Sequence, residues 1–375
     1  MSPPSAAPTA AGLASPNVLE VDTRAIAHNV AAIRQHIGRG VWLCASVKAD
    51  AYGFGLVPIA TAAVDSGADA LAVSRLADAV TLRDAGLLAP ILMYAGDPVT
   101  PEFVEACAEH RLIATVHDDQ SLQTFAHHRT AATQVFVKVD AGLRRFGFSP
   151  AQLSGAVESL RHAGVTVAGI YTHLHISDAG GSRALESQYQ AFVAAAQDVS
   201  PRPMLMAASS RVLAVSPSMC LDAVDPGRAV VGLVWGGHTQ LEAGLAPALA
   251  RLATRIVSVR DVVAGDVPLP RHAWLEGVDR LGVIPMGRRD GLPALATASV
   301  LVRGRRAPLV GPAALEHSRV DLTGIQDAMP GDEVVVIGSQ GSEAIWLADV
   351  VAAHPEIPSV AIALGVGATV RRVYR

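Results

Sequence analysis

The feature that most constrains the fold of this chain is the alternation of short apolar segments with helical patterns between about residues 40 and 235. Such alternation is typical of strand-helix-strand units, which build a parallel sheet. The predicted strands are Val41–Val47, Ala70–Ser74, Ile91–Tyr94, Leu112–Val116, Val135–Val139, Val165–Leu174, Pro203–Ala208 and Ala223–Val224. Predicted helices between them include Leu56–Asp65, Ser149–His162 and Arg183–Val199. Units in this number close a (β/α)8 barrel, whose active site lies at the carboxyl ends of the strands.

The pattern changes after Trp235–His238, where Gly, Pro and Asp separate shorter apolar runs. The runs Thr297–Val302, Glu333–Ile337 and Val360–Ala363 indicate a mostly antiparallel β domain. We therefore predict a flexible tail at residues 1–16, a barrel domain at 17–238 and a C-terminal β domain at 239–375.

Charge and cysteine content exclude several classes of protein. The net charge is -4 and no basic run is present, which argues against nucleic acid or an anionic membrane surface as a partner. The three cysteines are widely spaced, so neither a disulfide framework nor a metal cluster is expected, and a reducing cytoplasm fits best. No segment reads as a targeting signal or as a membrane span.

Lysine is almost absent from the chain, which has two lysines, Lys48 and Lys138, against 28 arginines. A lysine amine can be tuned to form a Schiff base, whereas a guanidinium stays protonated and is not nucleophilic. Lys48 follows the apolar run Val41–Val47, where barrel enzymes place catalytic groups. Lys48 is therefore a candidate for holding an aldehyde cofactor, and the alternative is a solvated loop lysine.

Several motifs in a fixed order resemble the alanine racemase family of pyridoxal phosphate enzymes, from Val18 to Tyr374. The motifs are ASVKADAYGFG at 45–55, VKVDAGLRRFG at 137–147, GIYTHL at 169–174, PG at 226–227 before VG at 231–232, and RAPLVG at 306–311. The resemblance implies a barrel followed by a β domain and a small amino-acid substrate. It also implies a head-to-tail homodimer in which the C-terminal domain of one subunit completes the active site of the other.

The resemblance assigns roles to three residues at the centre of the site. Lys48 matches the lysine that forms the aldimine with pyridoxal 5'-phosphate and acts as one of two bases. Arg145 matches the arginine that contacts the phenolic oxygen of the cofactor and the substrate carboxylate, a task suited to a planar fork of donors. His173 matches the histidine that packs against the pyridine ring, although a lone strand histidine is otherwise usually a core residue.

Further residues match the phosphate-binding part of the family's site. Tyr52 matches the phosphate-binding tyrosine, and its alternative role is that of a core aromatic. Ser210 and the backbone amides of Gly227 and Arg228 fall where the family binds the phosphate. Lys138 falls where many members carry a carbamylated lysine, and an amine neutralised by Asp140 or another carboxylate is the alternative.

Two departures from the family's pattern concern the reaction itself. Asp225 stands where the family has an arginine beside the pyridine nitrogen, and a carboxylate there favours a protonated ring, although Asp225 could instead shape an Asp-Pro-Gly turn. Arg288 stands where the family has the tyrosine that acts as second base in the partner's site. Arginine is a poor general base, so Arg288 suits a carboxylate or phosphate clamp better, with an exposed turn arginine as the alternative.

The segment that lines the family's substrate pocket is also changed, to Leu315, Glu316 and His317. His317 is a candidate replacement base, because an imidazole titrates near neutrality, and an exposed loop histidine is the alternative. Three hypotheses follow. The first is a racemase or epimerase acting through Lys48 on an amino acid other than alanine. The second is a lyase of the decarboxylase or aldolase type, and the third is a noncatalytic cofactor-binding homologue.

Overall fold

The computed structural model describes residues 15–176, 181–233, 239–262, 273–295 and 297–375. Two compact units are formed, one by residues 23–248 and the other by the segments before residue 23 and after residue 248. None of the helices in these described ranges combines the length and the apolar character needed to cross a bilayer.

Eighteen strands are found in the described part of the chain. They are β1 (Val18–Val21), β2 (Trp42–Ser46), β3 (Ala70–Val73), β4 (Ile91–Met93), β5 (Leu112–Val116), β6 (Gln134–Lys138), β7 (Thr166–Tyr171), β8 (Met204–Ala208), β9 (Ala223–Val224), β10 (Leu249–Arg255), β11 (Ser258–Asp261), β12 (Arg280–Ile284), β13 (Ser299–Val302), β14 (Arg305–Val310), β15 (Ser318–Asp321), β16 (Glu333–Gln340), β17 (Glu343–Ile345) and β18 (Arg371–Tyr374).

Helices and helix-like turns separate these strands. They are α1 (Thr23–Ile37), α2 (Lys48–Gly53), α3 (Leu56–Asp65), α4 (Leu76–Asp84), α5 (Pro101–Glu109), α6 (Asp119–His128), α7 (Leu153–His162), α8 (Gly181–Gln197), α9 (Ser210–Val215), α10 (Gln240–Ala243), α11 (Leu292–Leu295), α12 (Leu347–Ala353) and α13 (Ser359–Leu364).

Strands β2 to β9 form a closed barrel in which each strand pairs with the next and β9 pairs with β2. All of these pairings are parallel. The predicted (β/α)8 barrel is therefore confirmed. Each of the eight predicted strands overlaps one of these strands, and Leu112–Val116 and Ala223–Val224 match it residue for residue.

The barrel interior is filled by side chains from most of its strands, including Cys44, Leu92, Phe136, Tyr171 and Met206. A filled interior of this kind makes the barrel a packed core rather than a pore. Gly169 is required there, because a Cβ at this position would lie 2.4 Å from the Phe136 ring. The polar functional groups are consequently confined to the carboxyl ends of the strands.

The other unit is a mostly antiparallel sheet with the strand order β11-β12-β15-β14-β13-β16-β10-β1-β18, and β17 pairs with β16. This arrangement confirms the predicted β domain as a fold class. Strand β1 pairs antiparallel with β10 and parallel with β18, so residues 18–21 contribute to this sheet. The sequence predicts residues 17–22 to belong to the barrel domain, and the predicted boundary at residue 238 lies outside the described residues.

One predicted strand is wrong, because Val360–Ala363 lies in the helix α13. The buried residues of this helix are Ser359, Ile362 and Ala363, which follow the i, i+3, i+4 spacing of a helix face. Ala361 and Leu364 point to solvent. A short apolar run between Pro358 and Gly365 fits a strand as well as a helix, and periodicity over so few residues does not separate the two.

Candidate active site

A pocket with a volume of about 320 Å³ lies where the barrel strands end. Its position agrees with the general rule that barrel enzymes build their sites at the carboxyl ends of the strands. It is lined by Lys48, Ser74, Arg75, Tyr94, Ala95, Gly96, Lys138, Arg145, Phe146, Tyr171, His173 and Asp225. Five of the residues singled out from the sequence, namely Lys48, Lys138, Arg145, His173 and Asp225, are thus brought together.

Lys48 begins α2, which is a left-handed turn. Residues 49–52 all have positive φ, between 50° and 61°. Left-handed helical conformation costs about 1–2 kcal/mol per non-glycine residue, so the surrounding structure must enforce it. The turn is fixed by hydrogen bonds from Ala51 N to Val47 O at 2.9 Å and from Leu56 N to Asp50 Oδ1 at 2.7 Å. The strained turn thereby holds Lys48 at one end and Tyr52 at the other.

Burial lowers the pKa of Lys48, with a further contribution from the positive charge of Arg145, while Asp225 opposes the shift. Its Nζ lies 5.2 Å from the centroid of the Tyr94 ring. A lowered pKa increases the neutral, nucleophilic fraction of the amine at physiological pH. The environment of Lys48 is therefore suited to reaction with a carbonyl group.

Asp225 is buried, with 8% of its surface exposed, although it faces the pocket. Tyr94 Oη donates a hydrogen bond of 2.8 Å to Asp225 Oδ2. The other oxygen, Oδ1, is buried and has no hydrogen-bond partner among the described residues. Burial raises the pKa of Asp225, whereas the Tyr94 hydrogen bond and the two lysines lower it. A buried acceptor without a partner is unfavourable, so Oδ1 is a natural contact for a donor on a bound molecule.

Lys138 ends β6 and is buried, with its Nζ 4.3 Å from the centroid of the Tyr171 ring. Burial lowers its pKa to about 8, and the charges of Arg145 and Lys48 act in the same direction. Asp140, the carboxylate expected from the sequence to neutralise it, accepts hydrogen bonds from the backbone amides of Gly142 and Arg144 at 2.8 and 3.0 Å. The Lys138 amine thus faces the pocket beside an aromatic ring.

His173 follows β7 and is held neutral by its surroundings. Burial lowers its pKa to about 3, and the charges of Lys48, Lys138 and Arg145 add to this effect.

Arg145 lies on the exposed loop after β6. Gly147 in this loop has a φ of 121°, and a Cβ there would lie 2.5 Å from Asp140 N, so glycine is needed for the loop to fold back on the strand.

A second group of predicted residues lies together at the junction of α2, α9 and the segment after β9. A Cβ at Gly227 would lie 2.0 Å from Tyr52 Oη, so the absence of a side chain makes room for the tyrosine hydroxyl. Ser210 Oγ accepts hydrogen bonds from Gly227 N and Ala229 N at 2.9 and 3.1 Å. The Gly227 amide, predicted to bind phosphate, is therefore engaged by Ser210 in this structure. The Arg228 guanidinium has its pKa lowered by burial and is electrostatically coupled to Tyr52.

Three predicted residues lie in the β unit and not in the pocket lining. Arg288 and His317 are exposed, and 74% of the Leu315 surface is accessible. Arg288 Nε donates to Ala313 O at 3.0 Å, and its backbone N–H donates to Ala314 O at 2.9 Å. Ala314 N in turn donates to His317 O at 2.9 Å. We call Arg288, Leu315 and His317 the exposed turn cluster.

The sequence reasoning missed Tyr94 and Tyr171, whose rings lie 5.9 Å apart in the pocket. Tyr171 Oη is hydrogen-bonded to Thr115 Oγ1 at 3.1 Å, while Tyr94 Oη contacts Asp225. The available signal was position, because Tyr94 ends the predicted strand Ile91–Tyr94 and Tyr171 lies in the second half of the predicted strand Val165–Leu174. Nothing in the sequence pointed to their partners.

Comparison with known proteins places the chain among relatives of one kind. Residues 21–234 match the family model "Alanine racemase, N-terminal domain", and residues 249–374 match "Alanine racemase, C-terminal domain". The alanine racemase of Nostoc sp. is 32% identical over 348 residues, covering 88% of this chain and 89% of the relative. That of Symbiobacterium thermophilum is 34% identical over 376 residues, covering 96% and 97%.

Solved structures agree with these matches. The crystal structure of alanine racemase from E. faecalis superimposes with a TM-score of 0.86 at 28% identity, covering 96% of this chain and 98% of that one. The matches span both compact units and the pocket that the barrel forms. This chain belongs to the alanine racemase family.

Proposed function

We propose that the protein is a pyridoxal 5'-phosphate-dependent racemase or epimerase that acts through Lys48 on an amino acid other than alanine. Membership of the alanine racemase family supports racemase-type chemistry with this cofactor. The observation that carries the proposal is a pocket lined both by Lys48, whose amine has a lowered pKa, and by Asp225, a buried carboxylate with one oxygen that has no hydrogen-bond partner among the described residues.

The residues of the pocket, together with those around Gly227, fit the cofactor in three respects. An aldehyde needs an amine, which Lys48 provides. A ring nitrogen needs a hydrogen-bond partner, which Asp225 Oδ1 provides. A phosphate needs donors, and the Tyr52 hydroxyl and the Ser210 hydroxyl both lie close to Gly227. Ser210 Oγ accepts two backbone hydrogen bonds and keeps its own hydrogen to donate.

When bound, the cofactor would supply an aldehyde that captures amino groups and an aromatic ring that accepts the electron pair left at Cα. Lys48 Nζ would then take or return the proton at Cα on one face of the substrate. Arg145 would hold the substrate carboxylate through its planar guanidinium. His173, neutral because its pKa is lowered to about 3, would pack against the ring without adding charge to it.

Racemisation also needs a group that delivers a proton to the opposite face of Cα. We propose that the exposed turn cluster supplies this function to the site of a second subunit in a head-to-tail homodimer. In this assignment Arg288 binds the substrate, Leu315 lines the pocket and His317 is the second base. The exposure of all three side chains in the single chain supports the proposal. Arg288 itself is unsuited to be the base, because its guanidinium stays charged.

Space for a substrate side chain larger than a methyl group supports a substrate other than alanine. A second cavity of about 350 Å³ shares Gly96 and Phe146 with the first pocket. Its lining includes the polar side chains of Thr100, His117 and Gln120. These three side chains suit a substrate side chain that carries hydrogen-bonding groups.

The test combines cofactor binding with isotope exchange. The purified protein should take up added pyridoxal phosphate and show the absorption of the bound form. It should then incorporate deuterium at Cα and form both enantiomers when a panel of amino acids is incubated in deuterated water. Release of carbon dioxide or an aldehyde would instead indicate the lyase hypothesis. Alanine as the best substrate of the panel would contradict the substrate proposal, and a protein that takes up no cofactor would contradict the function itself.

A further inference from the structure

We infer that Tyr94 is a positioning residue for the cofactor, because its hydroxyl holds the Asp225 carboxylate in place as the anionic partner of the cofactor's ring nitrogen. The inference rests on the proposed function, since it requires pyridoxal phosphate in the pocket. It adds a residue, and a role, to the set identified from the sequence.

The two carboxylate oxygens of Asp225 have different surroundings. Tyr94 directly follows β4, and its backbone N–H donates to Val73 O at 2.8 Å, which fixes the residue at the end of the barrel. Its Oη donates to Asp225 Oδ2 at 2.8 Å. Asp225 Oδ1 is buried and has no partner among the described residues, and Asp225 is one of the residues that line the pocket. One oxygen is therefore bonded to Tyr94, and the other lacks a partner among the described residues, which favours a hydrogen bond from an N–H donor on a ligand.

Opposing influences act on the pKa of Asp225, which gives the Tyr94 hydroxyl its importance. Burial alone favours the neutral acid, while Lys48, Lys138 and the Tyr94 hydroxyl favour the carboxylate. A neutral carboxylic acid would leave the ring nitrogen unprotonated, whereas a carboxylate stabilises a protonated ring and deepens its capacity to accept electrons. A hydrogen bond to a charged group is stronger than one between neutral groups, so loss of the Tyr94 hydroxyl should change where the shared proton resides.

Tyr171 offers a matched control within the same pocket. Its ring lies 5.9 Å from that of Tyr94, and both residues line the cavity. Its hydroxyl, however, is hydrogen-bonded to Thr115 Oγ1 at 3.1 Å, and Asp225 Oδ2 is bonded to Tyr94 instead. Tyr94→Phe and Tyr171→Phe remove the same atom from neighbouring rings, and only the first removes a donor to Asp225.

The experiment loads the wild type and both variants with pyridoxal phosphate labelled with ¹⁵N in the ring and records the nitrogen chemical shift near neutral pH. The wild type should show a mainly protonated ring nitrogen. In Tyr94→Phe the signal should move toward the unprotonated form, because the equilibrium for the shared proton shifts to Asp225 by roughly tenfold or more. Tyr171→Phe should give the wild-type shift.

Two further variants make each outcome decisive. In an Asp225→Asn background, adding Tyr94→Phe should cause no further change, because the hydroxyl acts through the carboxylate. If Tyr94→Phe fails to fold, 3-fluorotyrosine at position 94 retains the ring and strengthens the donor, and it should move the signal toward the protonated form.

A wild-type shift in loaded Tyr94→Phe, or an equal change in Tyr171→Phe, would overturn the inference and leave the proposed function intact. A wild type that takes up no cofactor would overturn the proposed function, and the inference with it.

Discussion

The barrel pocket and the exposed turn cluster are opposite kinds of functional surface. In the pocket, Lys48, Lys138 and Asp225 are buried. Burial lowers the pKa of both lysines and raises the pKa of Asp225, which favours the neutral form of each group. In the turn cluster, Arg288 and His317 are exposed and are positioned by backbone hydrogen bonds. The difference teaches that the pocket tunes reactivity within one chain, while the turn presents side chains that a second subunit could use.

The largest expected effect is on the rate of the reaction, and it distinguishes the barrel pocket from the exposed turn cluster. Lys48→Ala should lower the rate of Cα deuterium exchange by roughly 10³-fold or more, because both the attachment point of the cofactor and a base are lost. Arg288→Ala should have a smaller effect, of roughly tenfold, since it removes a binding contact and no reactive group. Exchange rates measured on the loaded proteins check this order. A larger loss of exchange rate in Arg288→Ala than in Lys48→Ala would contradict this distinction between the two surfaces.

The second prediction concerns the electrostatics of the pocket. Because the chain has two lysines, ¹³C-lysine labelling should give two side-chain signals in the cofactor-free protein. Lys138 should titrate with a pKa of about 8, and Lys48 below the ordinary lysine value. Lys48→Ala should raise the pKa of Lys138, and Asp225→Asn should lower it further, since the neighbouring charges have these signs. Titration of both lysines near the ordinary value of about 10.4 would show that the pocket is open to water.

The sign of this shift also fixes its effect on stability. The folded-state pKa of Lys138, about 8, lies below the unfolded value, so the folded state binds fewer protons between the two. The contribution of Lys138 to the free energy of unfolding should therefore rise with pH from about 8 toward roughly 10.4. Chemical denaturation of the wild type and of Lys138→Met across this range measures it, and a constant difference between the two would contradict the shift.

The third prediction concerns the junction of α2, α9 and the segment after β9, where Gly227 lies beside Tyr52. In Gly227→Ala the new methyl group would meet Tyr52 Oη at 2.0 Å, so the tyrosine must move. Overpacking of this kind costs about 1–3 kcal/mol, and we expect a lower melting temperature and at least roughly tenfold weaker cofactor binding. Gly155→Ala is the matched control, because a Cβ there meets nothing within 4 Å in the helix α7. Equal behaviour of the two variants would show that the contact with Tyr52 is unimportant.

The smallest expected effect is on the stability of the turn cluster. Arg288→Ala and His317→Ala should each change the free energy of unfolding by less than about 0.5 kcal/mol, because exposed side chains contribute little. Arg288→Tyr should raise exchange at Cα of alanine if the absence of a tyrosine at position 288 limits that reaction. Denaturation curves measure the stability of the two alanine variants, and exchange assays measure the reaction of Arg288→Tyr with alanine. A large loss of stability in either alanine variant would assign the cluster to structure rather than to substrate handling.

The fold was largely predictable from local sequence. The strand Leu112–Val116 and the helix Leu56–Asp65 were predicted to the residue, because each is an apolar pattern bounded by turn residues. The helix α13 was missed because its run is too short for periodicity to distinguish it from a strand. The left-handed turn at 49–52 was also unpredictable, since no glycine marks those four positions.

The site was predictable only in part. Lys48 and Lys138 were found because lysine is otherwise absent, and resemblance brought Arg145, His173 and Asp225 to the same region. The Tyr94 hydrogen bond to Asp225 joins residues 131 positions apart, and only barrel closure brings them into contact. The charge balance of the pocket likewise depends on burial, which sequence spacing does not contain.

Borohydride reduction of the protein loaded with pyridoxal phosphate, followed by peptide mass spectrometry, tests the central claim most directly. Reduction fixes the cofactor to the amine that holds it, and only two lysines compete for it. The account predicts the pyridoxyl group on Lys48 and not on Lys138. Attachment to Lys138 alone, or an unmodified Lys48 in a protein that has bound the cofactor, would contradict it.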